Sequence, residues 1–373
     1  MSIIIPANSA VSGGFSVANS CMFNSADSAY LNKAAGSPTL NTKYTLSFWV
    51  KRSKITYSEC FMFDGRVDAS NRFKFAFDAN DKINCFNSHS GSDTIAIGTN
   101  RRFRDTNAWY NIILAVDTTQ GTEADRVKLY VNGVQETSFS TMTYPSQNDA
   151  NNVFTENSAA QTINAHYNGS AYSNYFDGYM SETVLIDGTA LAPTSFGEFD
   201  EDSGIWVPID VSGLTFGNNG FYLDFEDSSA LGNDAAGSNN FTANNLAATD
   251  QATDTCTNNF ATFNPLRPNS ISQTYSEGNT FVIRTGIGGQ MNGTLGVKSG
   301  KWYYECLIDD YWQYLGWTAL SLNTSQTAGC SDSGSGFYGL YSNASAVYTY
   351  ANGSNTSQGS YTAMASGQIW GIA

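Results

Sequence analysis

The sequence predicts an all-β protein made of two antiparallel β-sandwiches joined by a long connector. Three observations predict it. Short apolar-alternating runs recur along the 373 residues, separated by polar turn residues. Aromatic residues make up 14% of the chain, with 21 Tyr and 23 Phe, which suits strands. Charged residues are also only 14%, against roughly 25% in ordinary globular chains. Asn, Ser, Thr and Gly fill that gap, favouring turns over helices.

Taken in order, residues 1–16 read as an extended N-terminal arm, "MSIIIPANSAVSGGFS", with Ile3, Ile4 and Ile5 as its only solid apolar run. Three consecutive Ile residues are expected to be covered, either by their own domain or by a neighbouring subunit or particle surface. The arm lacks the basic start and long apolar stretch of a signal peptide.

Residues 17–205 carry sandwich-like strand signals: "YTLSFWV", "CFMF", "FKFAF" and "KINCF", punctuated by Asp64-Gly65, Asn80-Asp81 and Asp187-Gly188. "FKFAF" alternates Phe with Lys74 and Ala76, as a strand with one buried face should. "WYNIILAVDTTQGTEADRVKLYVNGV", residues 109–134, reads as two antiparallel strands closed by an Asn132-Gly133 tight turn. "APTSFGEF" breaks the rhythm, and Pro193 suggests one short helical turn. Residues 206–270, rich in Gly, Asn, Ala, Thr and Asp, read as a long ordered connector. Residues 271–373 form a second strand-rich region, with strands expected at 301–308, 314–320, 336–341, 346–350 and 369–373. The apolar "QIWGIA" at the end implies that the chain continues beyond Ala373 to complete this second sandwich.

The net charge of −15 repels phosphate and disfavours nucleic acid as a partner. No run approaches 18 apolar residues, so no membrane insertion is expected. The six Cys are widely spaced without a CxxC pair, which points away from zinc and towards buried thiols. The two His, His89 and His166, lie near no nucleophile-elbow pattern, and "GIGG" at 286–289 lacks the Lys of a phosphate loop. Tyr311 and Trp312, following Asp309-Asp310, are the candidate ligand contacts: exposed rings beside carboxylates stack on and hydrogen-bond a sugar, the alternative being core packing. Trp302 and Trp317 lie within strand patterns and are assigned to the core.

"YTLSFWVKRS", "WYNIILAVDTT…DRVKLYVNGV" and "YFDGYMSETVLIDGTAL" occur in that order. Together they resemble the concanavalin A-like, laminin-G-like jelly roll over residues 16–205. "GKWYYECLI", "YLGWTAL", "GFYGLY" and "GQIWGIA" resemble a SPRY-type sandwich over 272–373. The whole arrangement also resembles structural proteins of marine tailed bacteriophages, with their short arm and a connector like "GFYLDFEDSSALGNDAAGSNNFTANN".

That resemblance implies a non-enzymatic virion protein, assembled in the host cytoplasm. It would be a tail fibre, spike or surface appendage whose lectin-like domains meet host surface glycans. A capsid decoration or head-fibre protein is the alternative, and a secreted polysaccharide-active enzyme the alternative of another class. Its partners would be itself, as a homotrimer, and other virion proteins. Glucanase relatives carry a Glu-x-Asp-x-Glu-like strand. The nearest match, Glu198-Phe199-Asp200-Glu201-Asp202, lacks the third Glu and comes after a turn, so no catalytic residue is assigned. No cofactor is implied. Laminin-G-like domains sometimes hold Ca2+ at a rim, for which Asp64, Asp117 and Asp125 are the loop-proximal candidates, with turn formation the alternative.

Overall fold

A computed structural model describes residues 14–56, 58–266, 273–284, 291–308, 313–318, 337–342, 346–352, 354–357 and 365–373. Ile3, Ile4, Ile5, Tyr311 and Trp312 lie outside the described residues. The chain divides into two units, with the boundary between Asn259 and Phe260.

The first unit is a jelly-roll-like sandwich of two antiparallel sheets, each of eight strands among the described residues. The first sheet runs in the order Val134–Gln135, Val127–Val131, Trp109–Asp117, Lys43–Arg52, Gly178–Asp187, Ser20–Phe23 and Gln251–Ala252, with Phe221–Leu223 also paired to Gly178–Asp187. The second runs Phe139–Thr143, Ser92–Thr99, Ile83–His89, Arg72–Phe77, Cys60–Arg66, Ala160–Ile163, Tyr30–Ala34 and Thr242–Asn244.

The expected hairpin forms, with Leu114 opposite Leu129 and Val116 opposite Val127. Asn132 (φ 50°) and Gly133 (φ 74°) then make the left-handed turn that starts Val134–Gln135. A side chain on Gly133 would run into Trp206, whose ring lies against the turn and whose Nε1 donates to Asn111 Oδ1 at 3.0 Å.

Between the sheets lies one large apolar core. Phe73, Phe75 and Phe77 point into it from one strand, as the alternation of "FKFAF" predicts. Phe48 from the opposite sheet meets Phe75 edge-on at 5.6 Å and Phe63 at 4.8 Å. Removing one such ring costs about 3–5 kcal/mol.

The outer face of the first sheet is also covered, which alternation with one buried face does not predict. Strand Gly178–Asp187 is buried at every position, and Lys43–Arg52 at all but its first. Their outward residues build two further apolar clusters. One holds Trp49, Trp109, Tyr179, Trp206 and Cys256; the other holds Ile113, Val184, Ile186, Phe196, Val211 and Tyr222.

Much of the cover comes from residues 189–259, which include much of the stretch expected to be a connector. It adds Phe221–Leu223 and Gln251–Ala252 to the first sheet and Thr242–Asn244 to the second. The reason is the apolar outer face: left bare, it would expose several large side chains to water. Inside this cover Lys51 and Asp254 form a buried ion pair at 2.7 Å, and Trp109 Nε1 donates to the other Asp254 oxygen at 3.0 Å.

The second unit runs from Phe260 onward. Its strands fall close to the expected ones. A four-stranded antiparallel sheet orders Gln313–Thr318, Phe337–Ser342, Val347–Ala351 and Ser354–Ser357. Tyr304–Leu307 pairs with Ile369–Ile372, and Gln273–Ser276 with Phe281–Arg284. Ile308, Leu315 and Ile372 form a small core, with Trp317 and Tyr304 against it, edge-on at 5.3 Å. Trp317 is thus a packing residue, while Trp302 is half-buried and its Nε1 donates to the Ser299 carbonyl at 2.8 Å.

Candidate functional site

The outer face of the second sheet is built differently. A bulge in strand Cys60–Arg66, between Phe61 and Phe63, lets Met62 and Phe63 both enter the core. Phe61 and Asp64 are left on the outer side of the sheet, where both are nonetheless buried. Directly across the strands, Asp64 stands opposite Lys74 on one side and Thr162 on the other, and Thr162 opposite Asn32. Residues opposite one another in antiparallel strands share a face, so these form one transverse polar row.

A short hairpin, His166–Tyr167 with Tyr172–Ser173, folds against this row. Asn168 shapes its turn, its Oδ1 accepting the backbone N–H groups of Ser170 and Ala171, both at 2.9 Å. His166 Nδ1 lies 3.1 Å from Asp64 Oδ1, and the Tyr167 N–H donates to Asp64 Oδ2 at 3.1 Å. The imidazole also stacks on Phe61 at 4.6 Å. Burial pushes the Asp64 carboxyl up, and the bonds from His166 and Tyr167 act against that rise.

The hairpin brings tyrosines together. Tyr172 stacks on Tyr30 at 4.1 Å and on Tyr167 at 4.8 Å, and Tyr175 lies 6.2 Å from Tyr30. All four are half-buried, so the stack keeps ring surface open to solvent. Amides border it: Asn244 Nδ2 donates to Asn32 Oδ1 at 2.7 Å, and Asn32 hydrogen-bonds Tyr172. Further along the face, Lys74 pairs with Glu59, and its ammonium sits 4.9 Å from the Phe86 ring centre and 5.4 Å from that of Phe61. The half-exposed part of this face is the tyrosine stack with Asn32, Asn244 and the His166 ring; Phe61, Asp64 and Lys74 are buried beside it.

Of the residues proposed from sequence, Asp64 lies in this site, Asp117 and Asp125 do not belong to it, and Tyr311 and Trp312 lie outside the described residues. Asp64 is committed to His166, Asp117 to Lys43 at 3.1 Å, and Asp125 to Lys128 at 2.9 Å. Burial pushes the Asp117 carboxyl up, but hydrogen bonds from Thr119, Gln120 and Lys43 outweigh it and bring it down to about 2. Among the described residues no group of three or more His, Cys, Asp or Glu side chains is arranged to hold a metal ion.

Glu198, expected after a turn rather than in a strand, lies in the short strand Gly197–Phe199 and is exposed, and Asp200 caps its own turn by accepting from Ser203. His89 ends strand Ile83–His89, its ring 3.4 Å from the Ser90 hydroxyl. The described cysteines are thiols; Cys21, Cys60, Cys85 and Cys256 are buried and Cys306 half-buried, and burial raises Cys60 to about 11.

Sequence reasoning missed the tyrosine stack. The local signal was the density of Tyr among Gly, Asn and Ser in "HYNGSAYSNYF". Its partner Tyr30 lies far away in sequence, and only the sheet pairing joins them.

Residues 24–194 match the family model of the concanavalin A-like lectin/glucanases superfamily. No curated protein matches the chain. Among solved structures, a heptameric SAP-like pentraxin from Limulus polyphemus shares 13% identity, with a TM-score of 0.33, over 48% of this chain and 80% of that one. A putative carbohydrate binding protein from Bacteroides ovatus shares 15%, with a TM-score of 0.40, over 62% of this chain and 59% of that one. The CBM40 of the Ruminococcus gnavus IT-sialidase shares 10%, with a TM-score of 0.30, over 44% of this chain and 92% of that one. The first sandwich has a jelly-roll-like, concanavalin A-like fold.

Proposed function

We propose that the first sandwich binds glycans on the outer face of its second sheet, and that Tyr30, Tyr167, Tyr172 and Tyr175 form the platform. The observation that carries this is the half-exposed tyrosine stack beside Asn32, Asn244 and the His166–Asp64 pair. The C–H face of a pyranose ring packs on an aromatic face, and its hydroxyls need donors and acceptors at the rim. Both are supplied here. The role is binding rather than catalysis, because Glu198 and Asp200 sit on a solvent-facing strand and turn away from this face. The test is a glycan array followed by calorimetry on the best ligand. Tyr172→Ala should weaken binding about tenfold and Tyr172→Phe retain it; binding untouched by Tyr172→Ala and Tyr30→Ala together would refute the site.

We further propose that the chain serves as a surface appendage of a bacteriophage virion, with a SPRY-like second unit and with Ile3, Ile4 and Ile5 in a subunit or particle contact within a homotrimer. The support is the resemblance of the arm, the "GFYLDFEDSSALGNDAAGSNNFTANN" phrase and the strand motifs to such proteins, together with a lectin-type fold suited to host attachment. A capsid decoration or head-fibre role rests on the same support. Gold-labelled antibody on intact particles separates the two by where the label sits, and absence of label from particles would sink both.

A further inference from the structure

The covered face of the first sheet holds a constellation that glycan binding does not use. Lys51, on strand Lys43–Arg52, is 1% exposed. Its Nζ donates to Asp254 Oδ2 at 2.7 Å and to Asn259 Oδ1 at 2.8 Å. The Asn259 carboxamide is oriented from its other end, its Nδ2 donating to the Asn107 carbonyl at 2.8 Å. Asp254 is anchored through Trp109 Nε1, and the Ser20 hydroxyl donates to its backbone carbonyl at 2.6 Å. Trp109 and Tyr179 stand directly across the strands from Lys51 and wall the site, with the Tyr179 ring centre 5.7 Å from Nζ.

A buried amine and a buried carboxylate thus meet a half-buried carboxamide, with Trp109 and Tyr179 walling the amine. We propose that the folded chain joins Lys51 to Asn259 through an intramolecular amide bond, with Asp254 carrying the proton.

The chemistry balances without any outside reagent. The Lys51 ammonium gives a proton to the Asp254 carboxylate, leaving a neutral amine beside a neutral acid. A dry site favours that pair over two charges. Burial itself draws the Lys51 ammonium below the usual lysine range, with the charge and hydrogen bond of Asp254 and the charge of Asp105 acting the other way. The amine lone pair attacks Asn259 Cγ, one bond beyond the oxygen that Nζ already contacts, and the carbonyl electrons move onto Oδ1. A second proton passes from the attacking nitrogen to Nδ2, relayed by Asp254. The Cγ–Nδ2 bond breaks, ammonia leaves and takes up the remaining proton, and Asp254 is again a carboxylate. The products are one Nζ–Cγ amide and one ammonium ion.

Amide exchange in water is slow because amine and amide seldom meet unprotonated and aligned. Here the fold holds the groups in hydrogen-bond contact, which supplies proximity and a local base together. The bond would tie the central strand of the first sheet to the last residue of the first unit, closing the sandwich and its cover into one covalent loop.

Mass spectrometry of the full folded chain tests this. The intact mass should fall short of the sequence mass by one ammonia. A protease digest should contain a branched peptide linking the Lys51 segment to the Asn259 segment, with no cleavage after Lys51. Lys51→Arg and Asn259→Ala should each restore the full mass, and Asp254→Asn should leave the bond unformed. Should these variants fold poorly, the wild-type digest decides alone. Linear peptides bearing an unmodified Lys51 and an intact Asn259 amide overturn the proposal. So does an ammonia loss that maps to an Asn-Gly step such as Asn132-Gly133, which would mark succinimide formation instead. Chain recovered from inclusion bodies in denaturant should carry the full mass and lose ammonia only on refolding.

Discussion

The two outer faces of the first sandwich are made from the same kind of strand and end up opposite in character. Beneath the cover of residues 189–259, the first sheet presents Trp49, Trp109, Tyr179, Ile113 and Val184 in apolar clusters. On the second sheet, Phe61, Asp64 and Lys74 are buried beneath the short hairpin His166–Tyr167 with Tyr172–Ser173 and their neighbours, while Tyr30 and Asn32 beside the hairpin stay half-buried. The difference lies in the chain neighbours of each inward residue. Where two or three apolar residues run together, as in Phe48-Trp49-Val50, both faces must be buried and a covering segment has to exist. Where apolar and polar residues alternate, as in Tyr30-Leu31-Asn32, the outward residues stay half-buried beside the hairpin, whereas in "FKFAF" even the outward Lys74 and Ala76 are buried.

The largest effect expected from this contrast is on the covered side. Asp254→Ala leaves the Lys51 charge in an apolar enclosure without its carboxylate, and breaking a buried pair in this way costs about 3–5 kcal/mol. Trp206→Ala, which empties the ring packed on Gly133 and Asn111, should cost about as much. Urea denaturation of the two variants measures both. A loss below about 1 kcal/mol in each would mean that the cover is loosely attached and that the two faces differ less than described.

The covered side also carries an acid whose titration should be visible. Glu182 sits at a bulge in strand Gly178–Asp187, with φ 46°, and accepts a hydrogen bond from the Tyr222 hydroxyl at 2.8 Å. Burial pushes its carboxyl from 4.5 up to about 8; the Tyr222 bond opposes this, and the charges of Asp224, Glu226 and Asp210 add to it. The folded state therefore holds a proton that the unfolded chain has already released. The stability this brings is fully present below about 4.5 and is lost as pH rises through about 8. The slope is at most about 1.4 kcal/mol per pH unit. Glu182→Gln should flatten that decline across the same window. An unchanged pH profile of the thermal midpoint would show that Glu182 is already solvated.

Much of this was legible in the sequence, and the pattern of success is physical. The hairpin of residues 109–134 needed only local information: apolar runs, then Asn132-Gly133, whose left-handed angles few other pairs adopt. The Pro-started turn at Pro193–Ser195 was legible for the same reason. The cover was not. Trp206, Phe221 and Phe241 lie in apolar runs of three residues or fewer among Gly, Asn and Asp, which reads as connector. Their partners on strands Ser20–Phe23, Tyr30–Ala34 and Gly178–Asp187 are mostly far away along the chain. Strands of two or three residues carry almost no periodicity, so only the unbroken apolar run of the strand they cover could have announced them. The tyrosine platform failed likewise, since Tyr30 and Tyr172 meet only through tertiary pairing.

On the open face, the expected effect is on binding more than on folding. Tyr172→Ala removes the middle ring of the stack, and loss of a sugar contact worth about 1.4 kcal/mol weakens affinity tenfold. The same change should cost only about 1 kcal/mol of stability, because the ring is half-buried and stacks rather than fills a core. Calorimetry with a bound glycan and denaturation of the same sample give the two numbers. A variant that loses several kcal/mol of stability would place Tyr172 in the core and remove the contrast between the faces.

The smallest effect belongs at the sandwich rim, where neither face reaches. Asp125 and Lys128 pair at 2.9 Å, but their side chains are 47% and 32% exposed. Water screens such a pair, and holding two flexible side chains in one geometry offsets most of the attraction. Lys128→Ala should therefore change stability by about 0.5 kcal/mol or less. It also sharpens the question of the rim as a cation site. Releasing Asp125 from Lys128 leaves a single carboxylate beside exposed backbone, far short of the six or so oxygens that calcium requires. The thermal midpoint of Lys128→Ala should then be the same in calcium as in chelator. A midpoint that rises with calcium in this variant, and not in the parent chain, would show that the lysine had been occupying a cation site and that the rim has a binding role of its own.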